Sequence, residues 1–217
     1  MPIRVIIADD HAIVLEGLRA LLEKKSGDII ISGEASDGKK LLELAQKTPA
    51  DVYVLDIAMP LLNGMETAAR LLRLDKNAKI IFLSMYGDKP TVEKALGAGA
   101  RGYLLKENAA DDIVKAVKEV YRGGYYLSSS LSGFIAASML NRARNTFKPG
   151  KHERLTSKEI EIVQLIAEGM PNKQIARELK ISANTVHAHR NNIARKLDIH
   201  KQTDLVRYAI KEKIVKL

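Results

Sequence analysis

Apolar residues follow two alternating patterns along the first 125 residues. Short runs rich in Val, Ile and Leu are typical of buried strands, and between them apolar residues recur every three or four positions, as on one face of a helix. The runs cover residues 4–8, 28–33, 52–55, 79–84 and 102–105, and the helical patterns cover residues 11–25, 39–47, 63–74, 89–99 and 109–124. This alternation predicts an α/β fold: a doubly wound, five-stranded parallel sheet with helices on both faces.

The pattern changes after residue 125. Residues 128–145 are compatible with one further helix, and the Pro, Gly and charged residues that follow are typical of a linker. We therefore predict a first domain at residues 1–125, a helical linker and loop at 126–153 with the boundary near Lys148–His152, and a second domain at 154–217.

The second domain has only helical patterns, at residues 155–169, 172–180, 181–197 and 203–217. Thr156 followed by Glu159 predicts a capping box at the start of the first helix, and Ser182 is the predicted N-cap of the third. The turn between the second and third helices is short enough for a helix-turn-helix. We predict a small all-α domain of four helices.

Charge is distributed unevenly along the chain. Residues 1–127 contain equal numbers of basic and acidic side chains, so the whole net charge of +9 lies in residues 128–217. This asymmetry suggests that a neutral domain is joined to one that binds a polyanion, either nucleic acid or an anionic membrane surface. A merely lysine-rich domain without such a partner is the alternative at this stage.

Composition excludes several classes of protein. The chain contains no cysteine, which excludes disulfides and thiolate metal sites and is consistent with a reducing cytosol. The N-terminus lacks the apolar region of a signal peptide, and no apolar stretch approaches the ~20 residues that a membrane helix needs. We expect an intracellular protein that makes no membrane contact.

Polar side chains follow four of the five predicted strands. They are Asp9 and Asp10 after the first strand, Asp56 after the third, Ser84 after the fourth and Lys106 after the fifth. Because the carboxyl ends of parallel strands meet at one edge of the sheet, we expect these side chains to converge. Taken singly, each has an ordinary explanation as a helix cap, a turn residue or a surface charge, so the hypothesis depends on their joint placement.

Three converging carboxylates repel one another unless a cation lies between them, and oxygen ligands suit Mg²⁺. Lys106 can neutralise a further oxyanion, and the Ser84 hydroxyl can donate a hydrogen bond to one. A carboxylate in these surroundings can attack a phosphoryl group and form an aspartyl phosphate. Asp56 is the predicted nucleophile, since it stands alone at the end of a central strand.

Phosphohydrolases of the haloacid dehalogenase type are an alternative that also uses a nucleophilic aspartate. They require an Asp-x-Asp arrangement directly after the first strand and a large cap. Here Asp9 and Asp10 are adjacent, the candidate nucleophile follows the third strand, and the sequence has no segment that could form a cap. The pattern therefore argues against this class.

Residues 1–125 resemble the receiver domain of bacterial two-component response regulators. The resemblance rests on the segments IIADDH, VLDIAMP followed by NG, LSMYG and GARGYLLK, which occur in the order and spacing of that family. It implies a flavodoxin-like strand order 2-1-3-4-5 and a site for Mg²⁺ or Mn²⁺. Asp56 would then be the phosphoacceptor, Asp10 a direct metal ligand, Asp9 a ligand through water, and the backbone carbonyl of Ala58 a further ligand.

The same resemblance implies a switch that responds to phosphorylation. Ser84 would supply the hydroxyl that follows the phosphoryl group, and Lys106 would be the partner of the phosphate. Tyr103 would be the aromatic residue whose side chain changes rotamer. On its own, an aromatic residue after Gly102 could equally be a packing residue.

A helical wheel of residues 182–197 separates two faces. Val186, Ile193, Leu197 and His189 fall on the core side, whereas the opposite side carries Asn184, Ala188, Asn191 and Arg195, flanked by His187 and Asn192. The exposed side contains small, amide and basic residues and no acidic residue, which suits entry into a DNA major groove. Arg190 falls near the edge of the core, where its length can carry the guanidinium outward.

Residues 154–217 resemble the LuxR-type helix-turn-helix domain, and with a preceding receiver the chain resembles the NarL/FixJ class of response regulators. The resemblance implies that His187, Ala188, Arg190 and Asn191 read bases, and that Thr185 and Arg195 lie near the DNA backbone. His187 stands where lysine is common in the family. The last helix would supply a dimer contact, or else only complete the four-helix core.

We therefore expect a transcription regulator of the bacterial cytoplasm, and no enzyme beyond its own phosphoryl transfer and slow dephosphorylation. A cognate sensor histidine kinase would phosphorylate it, and it would bind double-stranded promoter DNA, forming a homodimer on phosphorylation or on DNA. Two alternatives are a receiver that is never phosphorylated and a helical domain that binds protein. The complete acidic site argues against the first, and the basic, acid-free surface argues against the second.

Overall fold

The structure is a computed structural model that describes residues 1–131 and 155–216. The predicted boundary near Lys148–His152 lies outside the described residues, as does most of the helix predicted at residues 128–145. No helix within the described ranges is both long enough and apolar enough to cross a membrane.

The first domain is a parallel sheet covered by helices on both faces, as predicted. Its strands are β1 (Ile3–Ala8), β2 (Ile29–Ala35), β3 (Val52–Asp56), β4 (Ile80–Ser84), β5 (Gly102–Leu105) and β6 (Tyr126–Leu127). Its helices are α1 (Ala12–Ser26), α2 (Gly38–Lys47), α3 (Gly64–Leu74), α4 (Lys89–Gly97) and α5 (Ala109–Tyr121), and a short 3₁₀ turn spans Lys106–Asn108. Across the described residues the strand order is β2-β1-β3-β4-β5-β6, which confirms the predicted order 2-1-3-4-5 and adds a sixth strand.

The central strands are buried on both faces, which explains their continuous apolar sequences. Every residue of β3 and β4 is buried, and helices pack against both sides of each strand. One core contains side chains of α1 and α5, and the other contains side chains of α2, α3 and α4. This packing holds the ends of β3 and β4 rigidly in place.

Strand β6 was not predicted, because two residues are too short to show a period. It pairs in parallel with β5, and the next residue, Ser128, is fully buried. The Ser128 hydroxyl accepts a hydrogen bond from the Leu105 backbone N–H at 3.1 Å, and Leu131 packs in the core that contains α2, α3 and α4. The chain therefore stays part of the first domain's packing beyond residue 125.

The second domain consists, in its described part, of four helices around one apolar core. They are α6 (Ser157–Ala167), α7 (Asn172–Glu178), α8 (Ala183–Leu197) and α9 (Gln202–Lys211). The predicted capping box is confirmed at Thr156 and Glu159, and Ser182 caps α8 as predicted. The last helix ends at Lys211, whereas the pattern predicted that it continues to residue 217.

The capping box makes the stability of the second domain depend on pH. Glu159 is buried, accepts the Thr156 backbone N–H at 2.7 Å and forms an ion pair with Lys196 at 2.8 Å. Burial alone would raise the pKa of Glu159, but these contacts together lower it. Its stabilising contribution is therefore present above the usual glutamate pKa of about 4.3 and is lost as the pH falls through the lower pKa of the folded state.

We expect Glu159→Gln to destabilise the second domain by about 2 kcal/mol at pH 7, because it removes the charge that Lys196 faces. Urea unfolding at pH 7 and at lower pH measures the difference, which should shrink as the wild-type carboxylate becomes protonated. Glu212→Gln is the control, since Glu212 is exposed and lies 3.8 Å from its nearest cation. An unchanged difference across the pH range would contradict the ion-pair explanation.

Candidate functional site

The carboxyl ends of β1, β3, β4 and β5 bring the predicted polar side chains to one edge of the sheet. Asp9 and Asp10 follow β1, and Asp56 is the last residue of β3. Ser84 ends β4, and Lys106 directly follows β5. Asp9, Asp56 and Ser84 are buried, so the sheet fixes them within the domain rather than on a mobile surface.

Two ammonium groups lie against the three carboxylates. Lys106 Nζ donates to Asp9 Oδ2 and lies 3.1 Å from Asp56 Oδ2. Lys216 Nζ lies 2.6 Å from Asp56 Oδ2 and 2.7 Å from Asp10 Oδ1. Burial alone would raise the pKa of Asp10 and lower that of Lys216, but their hydrogen bond and opposite charges outweigh burial, so the pKa of Asp10 is lowered and that of Lys216 is raised.

Lys216 belongs to the second domain and was missed by the sequence analysis. Helix α9 ends at Lys211, and Lys213 then adopts a positive φ of 58° that turns the chain. Ile214 is buried in the core of the second domain, which anchors the segment two residues before Lys216. The early helix end therefore directs the C-terminal segment toward the first domain.

The oxygen atoms at this edge fit a divalent cation. Ligand atoms of Asp9, Asp10, His11 and Asp56 all lie within 4.8 Å of one another. Carboxylate oxygens are the donors that Mg²⁺ and Mn²⁺ prefer, and the ammonium groups beside them show that these oxygens face a space that accepts positive charge. Ala58, whose carbonyl is the other predicted ligand, lies two residues after Asp56 and is buried.

Ser84 and Tyr103 are both connected to the loop that follows β4. The Ser84 hydroxyl accepts the Tyr86 backbone N–H at 3.0 Å, and the Tyr103 hydroxyl donates to the Tyr86 carbonyl oxygen. The Tyr103 side chain is fully buried, and this burial raises its pKa to about 12, so the ring stays neutral. A movement of Ser84 would therefore change the position of a group that holds Tyr103 inward.

Helix α6 contacts the loop that follows Asp56. The Gln164 side chain is fully buried, and its Oε1 accepts from the backbone N–H and the side-chain amide of Asn63 at 2.9 and 3.1 Å. Its Nε2 donates to the Met59 carbonyl oxygen at 2.8 Å. At the C-terminal end of α6, Glu168 accepts a hydrogen bond from the Leu61 backbone N–H at 3.0 Å. We call these hydrogen bonds between α6 and residues 59–63 the docking contact.

Ion pairs flank the docking contact. Arg70 of α3 lies 2.7 Å from the buried carboxylate of Glu161, and Lys39 of α2 lies 2.6 Å from Glu178. The second domain is thus held against the first by hydrogen bonds at the centre and by opposite charges around them. Sequence reasoning missed these residues, because each pairs with a partner in the other domain.

The face of α8 that was predicted to bind DNA is open to solvent. Its exposed residues include Asn184, Thr185, His187, Ala188, Asn191 and Arg195, and we call this set the recognition surface. Val186 and Ile193 are buried on the opposite side, as the helical wheel predicted. Arg190 differs from the rest, because it is half-buried and its Nη1 donates to Asn172 Oδ1 of α7 at 2.8 Å.

Comparisons with known proteins agree with this architecture. The model of the response regulator receiver domain matches residues 5–118, and the model of bacterial regulatory proteins of the luxR family matches residues 153–209. The transcriptional regulatory protein LiaR of Bacillus subtilis is 38% identical over 213 residues, which cover 98% of this chain and 99% of that protein. The nitrate/nitrite response regulator protein NarL of Escherichia coli is 34% identical over 98% of this chain and 97% of its own length.

Solved structures show the same combination of domains. The response regulator RcsB of Salmonella typhimurium matches with a TM-score of 0.65 and 28% identity, over 97% of this chain and 98% of that chain. A complex of RcsB with DNA matches with a TM-score of 0.60 and 27% identity, over 98% of this chain and 99% of that chain. This chain therefore belongs to the response regulators in which a receiver domain precedes a LuxR-type DNA-binding domain.

Proposed function

We propose that the protein is a transcription regulator controlled by phosphorylation of Asp56, with a sensor histidine kinase as the donor. The observation that carries the proposal is the position of this carboxylate. Asp56 ends a central strand, lies buried between Asp9, Asp10 and Lys106, and shares the sheet edge with the Ser84 hydroxyl. These are the groups that in-line transfer to a carboxylate requires.

In the proposed transfer, a carboxylate oxygen of Asp56 forms a bond to phosphorus while the P–N bond of a phosphohistidine breaks. The electron pair of that bond stays on the imidazole nitrogen of the kinase, which takes up a proton from solvent. Mg²⁺ or Mn²⁺ held by Asp9, Asp10, Asp56 and the Ala58 carbonyl would neutralise negative charge on the phosphoryl oxygens. Lys106 Nζ lies 3.1 Å from Asp56 Oδ2 and is placed to pair with a further phosphoryl oxygen.

The phosphoryl group would act as a charge-dependent switch. It adds a charge of about −1.5 to −2 at the end of β3 and offers new hydrogen-bond acceptors. The Ser84 hydroxyl would turn toward it and release the Tyr86 N–H, which shifts the loop that holds Tyr103. The population then moves toward a receiver state that favours a homodimer on promoter DNA.

The recognition surface supports double-stranded DNA as the target. Amides such as that of Asn191 can bond an adenine edge through two hydrogen bonds, Ala188 permits close approach, and Arg195 can reach a phosphate. His187 and Arg190 are further proposed base contacts, and Thr185 is a proposed backbone contact. Membership of the family supports a site of action in the bacterial cytoplasm and a regulator rather than an enzyme.

Treatment with acetyl phosphate and Mg²⁺, followed by mass spectrometry of the intact chain, tests the phosphorylation. We expect one phosphoryl group on the wild-type protein and none on Asp56→Asn, because the amide is a far weaker nucleophile. Asp51→Asn is the matched control, since Asp51 pairs with Arg4 before β3 and should leave the incorporation unchanged. No phosphoryl group on the wild-type protein, or equal incorporation into Asp56→Asn, would contradict the proposal.

Salt dependence of promoter binding tests the second half of the proposal. We expect the logarithm of the affinity to fall linearly with the logarithm of the salt concentration, and Arg195→Ala to reduce the slope by about 1 per subunit. Arg122→Ala is the charge-matched control, since Arg122 is exposed at the end of α5 in the receiver. A DNA affinity that does not change with salt concentration, or an unchanged slope in Arg195→Ala, would argue for a protein-binding module instead.

A further inference from the structure

We propose that Lys216 is a tethered cation that competes with the divalent metal ion for the acidic site, so that metal binding and docking of the DNA-binding domain oppose each other. The inference rests on the proposed function, because it takes the acidic site to be a metal site. It adds a residue from the other domain, 160 positions away from Asp56 in the chain.

Lys216 binds the oxygen atoms that a metal ion would use. Lys216 Nζ donates to Asp10 Oδ1 at 2.7 Å and to Asp56 Oδ2 at 2.6 Å. Both carboxylates are proposed metal ligands, and an ion bound by these two oxygens would lie in the space that the ammonium group fills. Lys216 and the metal ion therefore exclude each other at these two oxygens. Lys106 contacts Asp9 Oδ2 and Asp56 Oδ2 and belongs to the receiver itself, so it stays beside the acidic site whether or not the domains are docked.

The two cations differ in how much of the negative charge at the acidic site they neutralise. Lys106 and Lys216 together offset two of the three negative charges of Asp9, Asp10 and Asp56, whereas Lys106 with a divalent ion offsets all three. The metal ion is thus the better partner once its concentration is high enough. Lys216 nevertheless lowers the apparent metal affinity, because its attachment to the same chain keeps its local concentration high.

Lys216 is attached closely to the core of the second domain. Ile214 is 5% exposed in the core of that domain, so only one residue separates this anchor from Lys216. Departure of the ammonium group from the acidic site removes two charged hydrogen bonds from the interface and therefore weakens docking. By linkage, docking lowers the metal affinity by the same factor by which bound metal weakens docking.

The contact of Lys216 with the acidic site does not cover the DNA-binding face. With Lys216 in the acidic site, the recognition surface stays exposed. Asp56, by contrast, is 3% exposed and holds the Lys216 ammonium group on one of its oxygens. The docked arrangement thus controls access to the phosphorylation site rather than access to DNA.

Metal titration of the full-length chain tests the competition. The electron paramagnetic resonance signal of free Mn²⁺ reports binding to the wild-type protein, Lys216→Met and the control Lys211→Met, which removes an exposed lysine five residues earlier. We expect Lys216→Met to bind Mn²⁺ about tenfold more tightly, as follows if Lys216 fills the site in roughly nine molecules of ten. Lys211→Met should match the wild type.

Asp10→Asn separates failure of this inference from failure of the proposed function. If Asp10→Asn weakens metal binding but Lys216→Met leaves it unchanged, the competition is overturned and the metal site is kept. If Asp10→Asn does not weaken metal binding, both the competition and the metal site are overturned. Equal tightening in Lys216→Met and Lys211→Met would also overturn the inference, since it would reflect net charge alone.

A direct observation of the ammonium group gives a second readout. In protein labelled with ¹⁵N-lysine, the Lys216 ammonium should give a protected nuclear magnetic resonance signal that is absent from Lys216→Met. We expect diamagnetic Mg²⁺ to abolish this signal in the wild type as the group returns to solvent. A Lys216 signal that persists at saturating Mg²⁺ would overturn the inference.

Discussion

A Gly64→Ala protein is expected to lose about 3 kcal/mol of receiver stability, a large effect for the addition of one methyl group. A Cβ atom at Gly64 would lie 2.0 Å from the backbone oxygen of Asp56 and 3.0 Å from the Cα atom of Ile57. Both neighbours belong to the backbone and cannot move aside as a flexible side chain would. The Gly64 N–H also donates to the Ile57 carbonyl oxygen at 2.7 Å, so relief of the clash breaks the closure of the loop that follows Asp56.

Urea unfolding followed by tyrosine fluorescence measures this loss, because Tyr208 is the only tyrosine in the sequence after residue 126 and the signal reports mainly on the receiver. Gly17→Ala is the control: Gly17 lies within α1 with nothing within 4 Å of an added Cβ. That substitution should stabilise the protein by about 0.5–1 kcal/mol. Equal stability of Gly64→Ala and the wild type would mean that the loop rearranges around the added methyl group without loss of stability.

Replacement of Gln164 by leucine is expected to shift the balance between docked and separated domains by about 2 kcal/mol, or roughly thirtyfold. Its amide makes three of the hydrogen bonds in the docking contact, and each is worth about 0.5–1.5 kcal/mol when its groups can otherwise turn to water. Leucine would leave the Asn63 N–H and the Met59 carbonyl facing an apolar side chain, which destabilises the docked state relative to the separated state.

Hydrogen exchange of the peptide that covers residues 57–64 measures the shift. Faster exchange of the Asn63 amide is expected in Gln164→Leu, whereas Gln202→Leu, at an exposed position of α9, should match the wild type. Small-angle scattering should show a larger radius of gyration for Gln164→Leu alone. Unchanged exchange at Asn63 would show that the flanking ion pairs suffice for docking.

The receiver site was predictable because its residues follow from local patterns. Asp56 and Ser84 end apolar runs, and a parallel sheet carries all such ends to one edge whatever the details of packing. The capping box at Thr156 and Glu159 was predictable for a similar reason, since its three-residue spacing fixes its geometry. The sequence pattern alone was enough wherever the interacting groups share an element or an edge.

The contacts between the domains lay beyond that reasoning. Gln164 lies 101 residues from Asn63, and Lys216 lies 160 residues from Asp56. Their meeting depends on how two separately folded surfaces fit, which no periodicity encodes. The turn at Lys213 was missed because the apolar spacing around it continues as in a helix, although its φ of 58° ends the regular backbone.

Strand β6 decides where this receiver can be separated from its output domain. A fragment that stops at Tyr125 would lose β6, the Ser128 hydroxyl bonded to the Leu105 N–H, and the buried side chain of Leu131. Its β5 would become an unpaired edge that invites association with other chains. Grafting of this receiver onto a foreign output module therefore requires a fusion point beyond residue 131, so that β6, Ser128 and Leu131 all stay with the receiver.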